Sequence, residues 1–174
     1  MRYRVIALLL VTLPLVTVGV AWAHHGQSDL AKVKRATARF HDVDRAIAAG
    51  YSFRLPELGG ATCIAQPGEG AMGVHMVNTS LLDSVLDPRK PEVLVYDPRV
   101  KRNGREKLRL VAVEYVVFES AWTEASPPRM FGRTFDYVPF PNRYDLPAFY
   151  ALHAWIWKRN PIGLFHAWNP RVRC

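Results

Sequence analysis

Three side chains stand out as groups that could do chemistry, because each is polar in otherwise apolar company. They are His75 in Gly73-Val-His-Met-Val-Asn78, Glu114 in Ala112-Val-Glu-Tyr-Val-Val117 and His153 in Phe149-Tyr-Ala-Leu-His-Ala-Trp155. A carboxylate inside an apolar strand must be paired, metal-bound or protonated, since an isolated buried charge costs more than the strand recovers. Two imidazoles and one carboxylate at a common point would form a first-row metal site, for copper, iron or zinc. The same groups could also work as an acid-base pair of Glu114 and His153, oriented by a third group. A hydrogen-bonded core network with no ligand accounts for them as well. Spacing does not choose, because strand register is not written in the sequence. Tyr96, Tyr115 and Trp155 are candidates for the pocket wall, the tyrosines as hydrogen-bond donors, with a place in the core as their alternative.

Other histidines offer different chemistry. A chain beginning at His24 would present a free amine and an imidazole on one residue, a chelating pair that suits copper, with His25 beside it; a mobile polar tail is the plain alternative. His166, between Phe165 and Trp168, could stack on a flat ligand such as haem, which ranks behind a bare metal ion, and aromatic packing around a turn explains it equally. The sequence carries no GxSxG, no HExxH and no phosphate loop, so hydrolase readings find no support.

The elements that must position these groups can be read in outline. Ser28 and Gly50 bracket a helix over 28–49, with Leu30, Val33, Thr37, Phe40, Val43 and Ile47 on one stripe. Residues 51–73 read as a Gly- and Pro-rich loop. Strands follow at 73–78, 91–97 and 107–118, the last two joined through Asn103-Gly104, a hairpin signal. Asn78-Thr79-Ser80 fits a glycosylation sequon. Residues 122–147 interleave Pro with aromatics and read as a flap across one sheet face. Residues 149–158 read as a strand apolar on both faces, ended by the Asn160-Pro161-Ile162-Gly163 turn, although a helix capped near Asp145 is an alternative. The simplest assembly is α+β, an N-terminal helix packed on a curved antiparallel sheet, cystatin-like or NTF2-like in shape, with a pocket on the open face.

Composition sets the context. At 174 residues and 49% hydrophobic content, the chain has enough material for one globular domain. Met1-Arg-Tyr-Arg4, an apolar run from Val5 to Val20 and Ala21-Trp22-Ala23 have the form of a cleavable export signal, giving 1–23 as signal peptide and 24–174 as the exported domain. An uncleaved anchor is the alternative. Losing Arg2 and Arg4 takes the formal charge from +8 to +6, so the exported part stays basic. No nucleic-acid-binding motif accompanies that charge, and contact with membrane is expected only through the export signal. Cys63 and Cys174, an even count in an exported chain, are expected to form one disulfide.

The ending Leu152-His-Ala-Trp-Ile-Trp157, Asn160-Pro-Ile-Gly163, Phe165 and Trp168-Asn-Pro-Arg-Val-Arg-Cys174 resembles the C-terminal signature of a family of uncharacterised exported bacterial proteins. Ala46-Ile-Ala-Ala-Gly-Tyr51 and Gly70-Ala-Met-Gly-Val-His75 resemble it too. The resemblance implies a secreted or periplasmic location and brings no activity with it. The expectation is therefore an exported metal- or small-ligand-binding module with a His75/Glu114/His153 pocket. An acid-base enzyme and a structural envelope protein without ligand are the rivals.

Overall fold

The computed structural model describes residues 29–100 and 106–174. Residues 1–23, expected as an export signal, together with His24, His25 and Asn103-Gly104, expected as a hairpin turn, lie outside the described residues. Helix α1 runs over 29–37, passes into a 3-10 turn at Ala38–His41, and gives way to a separate α2 at Val43–Ala48. One continuous helix over 28–49 is thus corrected. Asp42 leaves the helical path and its carboxylate accepts a hydrogen bond from the Asp44 amide, capping α2. The break also rephases the apolar stripe: Val33 and Phe40 are buried as expected, but beyond Asp42 it is Ala46 that is buried, and Ile47 is left 46% exposed. The end is as expected. Gly50 adopts φ +96°, and the amides of Gly50 and Tyr51 donate to Ile47 and Ala46 in a Schellman pattern.

Among the described residues nine strands follow: β1 (Phe53–Arg54), β2 (Cys63–Gln66), β3 (Gly70–Val77), β4 (Val93–Val100), β5 (Glu106–Phe118), β6 (Arg129–Met130), β7 (Arg133–Thr134), β8 (Asp136–Val138) and β9 (Phe149–Ala154). Seven form one antiparallel sheet in the order β1-β3-β4-β5-β9-β8, with β2 beside β1 on the outer edge of β3. The stretch expected as a plain loop therefore supplies two edge strands. The last strand stops at Ala154 rather than 158, because the Trp155 amide turns to the Leu164 carbonyl while those of Trp157 and Lys158 both donate to Val111. In the aromatic flap, β6 and β7 form a separate hairpin turning at Phe131 and Gly132, and β8 extends the main sheet alongside β9.

The sheet separates two apolar clusters. On the helix side Val33, Phe40, Tyr51, Leu94, Tyr96, Val113, Tyr115 and Leu152 pack together. On the other side lie Val77, Val93, Val95, Val111, Val116, Phe149, Ala151 and Trp155. The C-terminus is bound back tightly. A disulfide joins Cys63 to Cys174, closing a loop whose chain-entropy contribution is about 4 to 5 kcal/mol. Buried Asp97 accepts from Lys158 Nζ at 2.6 Å, and the same ammonium reaches the Arg171 carbonyl. Asn160 and Asn169 each accept from the amide two residues on, fixing both Asn-Pro turns. Asn78 is buried, donating to Ala49 O and accepting from Ser80, which leaves its amide no room to act as a glycan acceptor.

Candidate metal centre

Register brings the three singled-out residues together. Glu114 in β5 lies directly opposite His153 in β9, while His75 in β3 pairs with Val95 in β4, whose next partner is Ala112 in β5. A one-residue bulge makes this possible. Tyr96 pairs with Leu110 but Val95 with Ala112, so Val111 is an extra residue in β5. Before the bulge Leu110 faces the helices; after it Val113 and Tyr115 do. Glu114 is consequently turned to the face that His75 and His153 share. Without the extra residue it would point with Leu110 into the helix-side core.

All three side chains are buried, at 1%, 7% and 4% exposure for His75, Glu114 and His153. His75 Nε2 lies 3.4 Å from Glu114 Oε2 and 3.4 Å from His153 Nε2, and His153 Nδ1 is 3.2 Å from Glu114 Oε1. Each residue offers one ligand atom within 4.8 Å of the others. Backbone fixes one tautomer. His75 Nδ1 sits 3.2 Å from the Gly73 carbonyl, which can only accept, so the proton is on Nδ1 and the Nε2 lone pair points into the cluster. Gly73 has φ +108°, and a Cβ there would stand 2.4 Å from Tyr96 O, so only glycine permits this approach of β3 to β4.

Burial favours the uncharged form of every member. It pushes Glu114 up to about 8, helped by the charge of nearby Glu92, and pulls His75 down to about 4. His153 is held well below the usual imidazole value by burial, then by His75. A neutral cluster then has a difficulty. After His75 spends its proton on Gly73, two protons, those of Glu114 and His153, must serve three close contacts, so one pair of lone pairs is always left facing. A cation removes the conflict by accepting the inward lone pairs of both imidazoles and one carboxylate oxygen. The spacing suits it: two imidazole nitrogens bound at about 2.05 Å with a tetrahedral angle lie about 3.3 Å apart. With an ion so held, His153 would carry its proton on Nδ1, 3.2 Å from the second Glu114 oxygen.

The cluster forms part of the wall of a largely apolar cavity of about 300 Å³, whose other lining includes Phe53, Leu55, Met72, Val93, Tyr144 and Phe149. No family model, curated protein or solved structure matches this chain.

The remaining sequence candidates lie elsewhere. Tyr96 and Tyr115, expected beside the pocket, are on the opposite face in the helix-side core, donating to the carbonyls of Phe40 and Pro88. Strand alternation carries them away from the cluster. Trp155 stacks on His153 at 6.2 Å between ring centroids, but it is past the end of β9, donates to His166 O and does not line the cavity. His166 is held by the Trp168 backbone in the C-terminal turn and is not one of the three converging ligand residues. Two residues were missed. Glu92 is buried at the entry to β4, accepts from the Val116 amide and is pushed up to about 8 by burial. Its signal was an acid directly before Val93-Leu94-Val95. Tyr144 lines the cavity from the flap, where a crowd of aromatics concealed it.

Proposed function

We propose that the protein is an exported metal-binding module. A first-row ion, copper, iron or zinc, is held by His75 Nε2, His153 Nε2 and a Glu114 oxygen, with remaining coordination positions open to the apolar cavity. The observation that carries this reading is the shortage of protons in the buried cluster: the three groups converge with lone pairs inward, and a cation is what satisfies them together. The Cys63–Cys174 disulfide fits an oxidising compartment. The signal-like residues 1–23 and the family resemblance support export to the periplasm or medium. Helices on one face and an open cavity on the other support a cystatin-like or NTF2-like assembly.

Metal analysis tests the reading. Wild-type protein stripped with chelator and then dialysed against each ion takes up one equivalent of at least one of them, and Glu114→Gln and His75→Ala take up none while keeping the wild-type circular dichroism. Absence of stoichiometric uptake by the wild type defeats it. A second reading, proton transfer by Glu114 with His153, draws on a carboxyl raised to about 8 beside a cavity. It gains if the stripped, metal-refusing protein catalyses proton exchange on a cavity-sized substrate.

A further inference from the structure

Resting on that metal reading, we infer that the cavity takes a small apolar monocarboxylate, bound through its carboxylate to the open positions of the metal.

Charge is the first argument. A divalent ion held by two neutral imidazoles and one carboxylate leaves a net single positive charge among buried groups, and burying an uncompensated charge is costly. Among the described residues, the other acid that lines the cavity, Asp136, is solvent-exposed and so contributes little inside. Glu92 is buried but does not line the cavity, and burial, which raises its carboxyl to about 8, favours its uncharged form. A monoanion on the metal completes the neutralisation; a dianion overshoots it and a neutral ligand leaves it undone. The formal charge of +6 that remains once Arg2 and Arg4 are lost from the chain's +8 also favours approach by anions.

Shape and chemistry of the wall supply the second argument. Beyond the cluster, the cavity is bounded by Leu55, Met72, Val77, Leu82, Val116 and Leu146, aliphatic or thioether side chains that ask for an apolar body. A 150 Å³ apolar cavity holds a benzene, so about 300 Å³ accommodates roughly eight to twelve non-hydrogen atoms. Phenylacetate and octanoate are of this size, whereas acetate would fill a small part of it.

Tyr144 is the third argument. Its hydroxyl has Met72 Sδ, 3.6 Å away, as its hydrogen-bond partner, and a thioether is a weak acceptor. This phenol on the cavity wall gains by turning to the second carboxylate oxygen, which would distinguish an acid from an alcohol of the same shape. The three tyrosines of the helix-side core each have a backbone carbonyl instead.

Cobalt(II) serves as a visible reporter. Metal uptake is measured first, by the appearance of saturable d–d absorption at one equivalent. Phenylacetate and octanoate are then expected to change that spectrum saturably, while acetate and 2-phenylethanol bind at least tenfold more weakly. Leu146→Trp, which fills the cavity from the flap, keeps the cobalt spectrum and loses the response to phenylacetate; Tyr144→Phe keeps the spectrum and weakens phenylacetate several-fold. If cobalt binds but the two larger acids act no differently from acetate or the alcohol, the inference is overturned and the metal reading stands. If phenylacetate binds the cobalt-free protein as tightly, coordination is not what holds it, and the inference is overturned in a different way. Failure of cobalt and of the other ions to bind overturns both.

Discussion

On the helix side of the sheet, Tyr51, Tyr96 and Tyr115 bury their rings and donate their hydroxyls to the carbonyls of Pro91, Phe40 and Pro88, each at 2.8 Å. On the opposite side, three buried titratable groups face one another at 3.2 to 3.4 Å beside a cavity of about 300 Å³. The same strands build both. Leu94 and Val93 are neighbours in β4, and Tyr115 and Glu114 are neighbours in β5, yet within each pair one residue enters a filled core and the other borders open space. The difference teaches that one face packs its polar groups against backbone carbonyls in a filled core, while the other gathers its buried titratable groups beside open space, where an ion could bind.

The largest expected effect is on the filled face. Leu94→Ala removes a fully buried side chain from the helix-side core and should cost about 3 to 4 kcal/mol. Val93→Ala removes a side chain that already borders the cavity and should cost about 1 kcal/mol, since fewer contacts are lost. Urea unfolding of both variants measures the contrast, and metal uptake should survive in Leu94→Ala. Equal costs would mean that the cavity is closed by rearrangement and that the faces do not differ.

Glu114→Leu is expected to act in the opposite direction. In metal-free protein it replaces a buried carboxyl in an incompletely bonded cluster with an apolar side chain of similar size, and should raise stability by about 1 to 2 kcal/mol. In metal-loaded protein the same change abolishes the ion's contribution. If the metal-free variant is instead less stable than wild type, Glu114 belongs to a structural network and the open face resembles the closed one.

Acidity offers a finer probe of the same difference. Burial raises Glu92 and Glu114 from 4.5 to about 8, so their stabilising effect is complete below 4.5 and is lost as pH rises through 8. His75, lowered from 6.5 to about 4, and His153, lowered well below 6.5, contribute in the reverse sense: fully above 6.5, and less as pH falls. Metal-free protein should therefore show a stability maximum between about pH 4.5 and 6.5, with losses on both sides. Bound metal keeps Glu114 ionised and both imidazoles neutral, so the loss above 6.5 shrinks to the part due to Glu92. Thermal unfolding across pH 4 to 9, with chelator and with metal, should show two curves that diverge as pH rises; parallel curves would remove the coupling.

How much of this was visible in the residues depended on whether local pattern or long-range register decided it. His75, Glu114 and His153 could be picked out because each interrupts an apolar run, and the alternation of Val74, His75, Met76 and Val77 is the one observed. The Gly50 stop and the single disulfide were likewise local or countable. The bulge at Val111 was not. It depends on the β4–β5 pairing and reverses the alternation within β5, so that Tyr115 is turned from the pocket and Glu114 into it. Asp42 reads as one more polar residue on a helix surface, and its role as a cap appears only when the chain turns to follow the sheet. Leu55 and Leu146, drawn from segments rich in Gly and Pro, reach the cavity because the flap and the β1 segment cover the open face, a tertiary arrangement that no periodicity announces.

The smallest expected effect comes from deleting one hydroxyl on each face. Tyr96→Phe leaves the buried Phe40 carbonyl without its 2.8 Å partner and should cost about 1 kcal/mol, with metal affinity unchanged. Tyr144→Phe gives up a 3.6 Å contact to a thioether and should cost almost nothing in stability. Paired urea titrations of the two variants, each with and without cobalt, compare them directly. If removing the Tyr144 hydroxyl costs as much as removing that of Tyr96, the phenol is already fully bonded within the folded chain. It would then have no donor to spare for a ligand, and the two faces would treat their tyrosines alike.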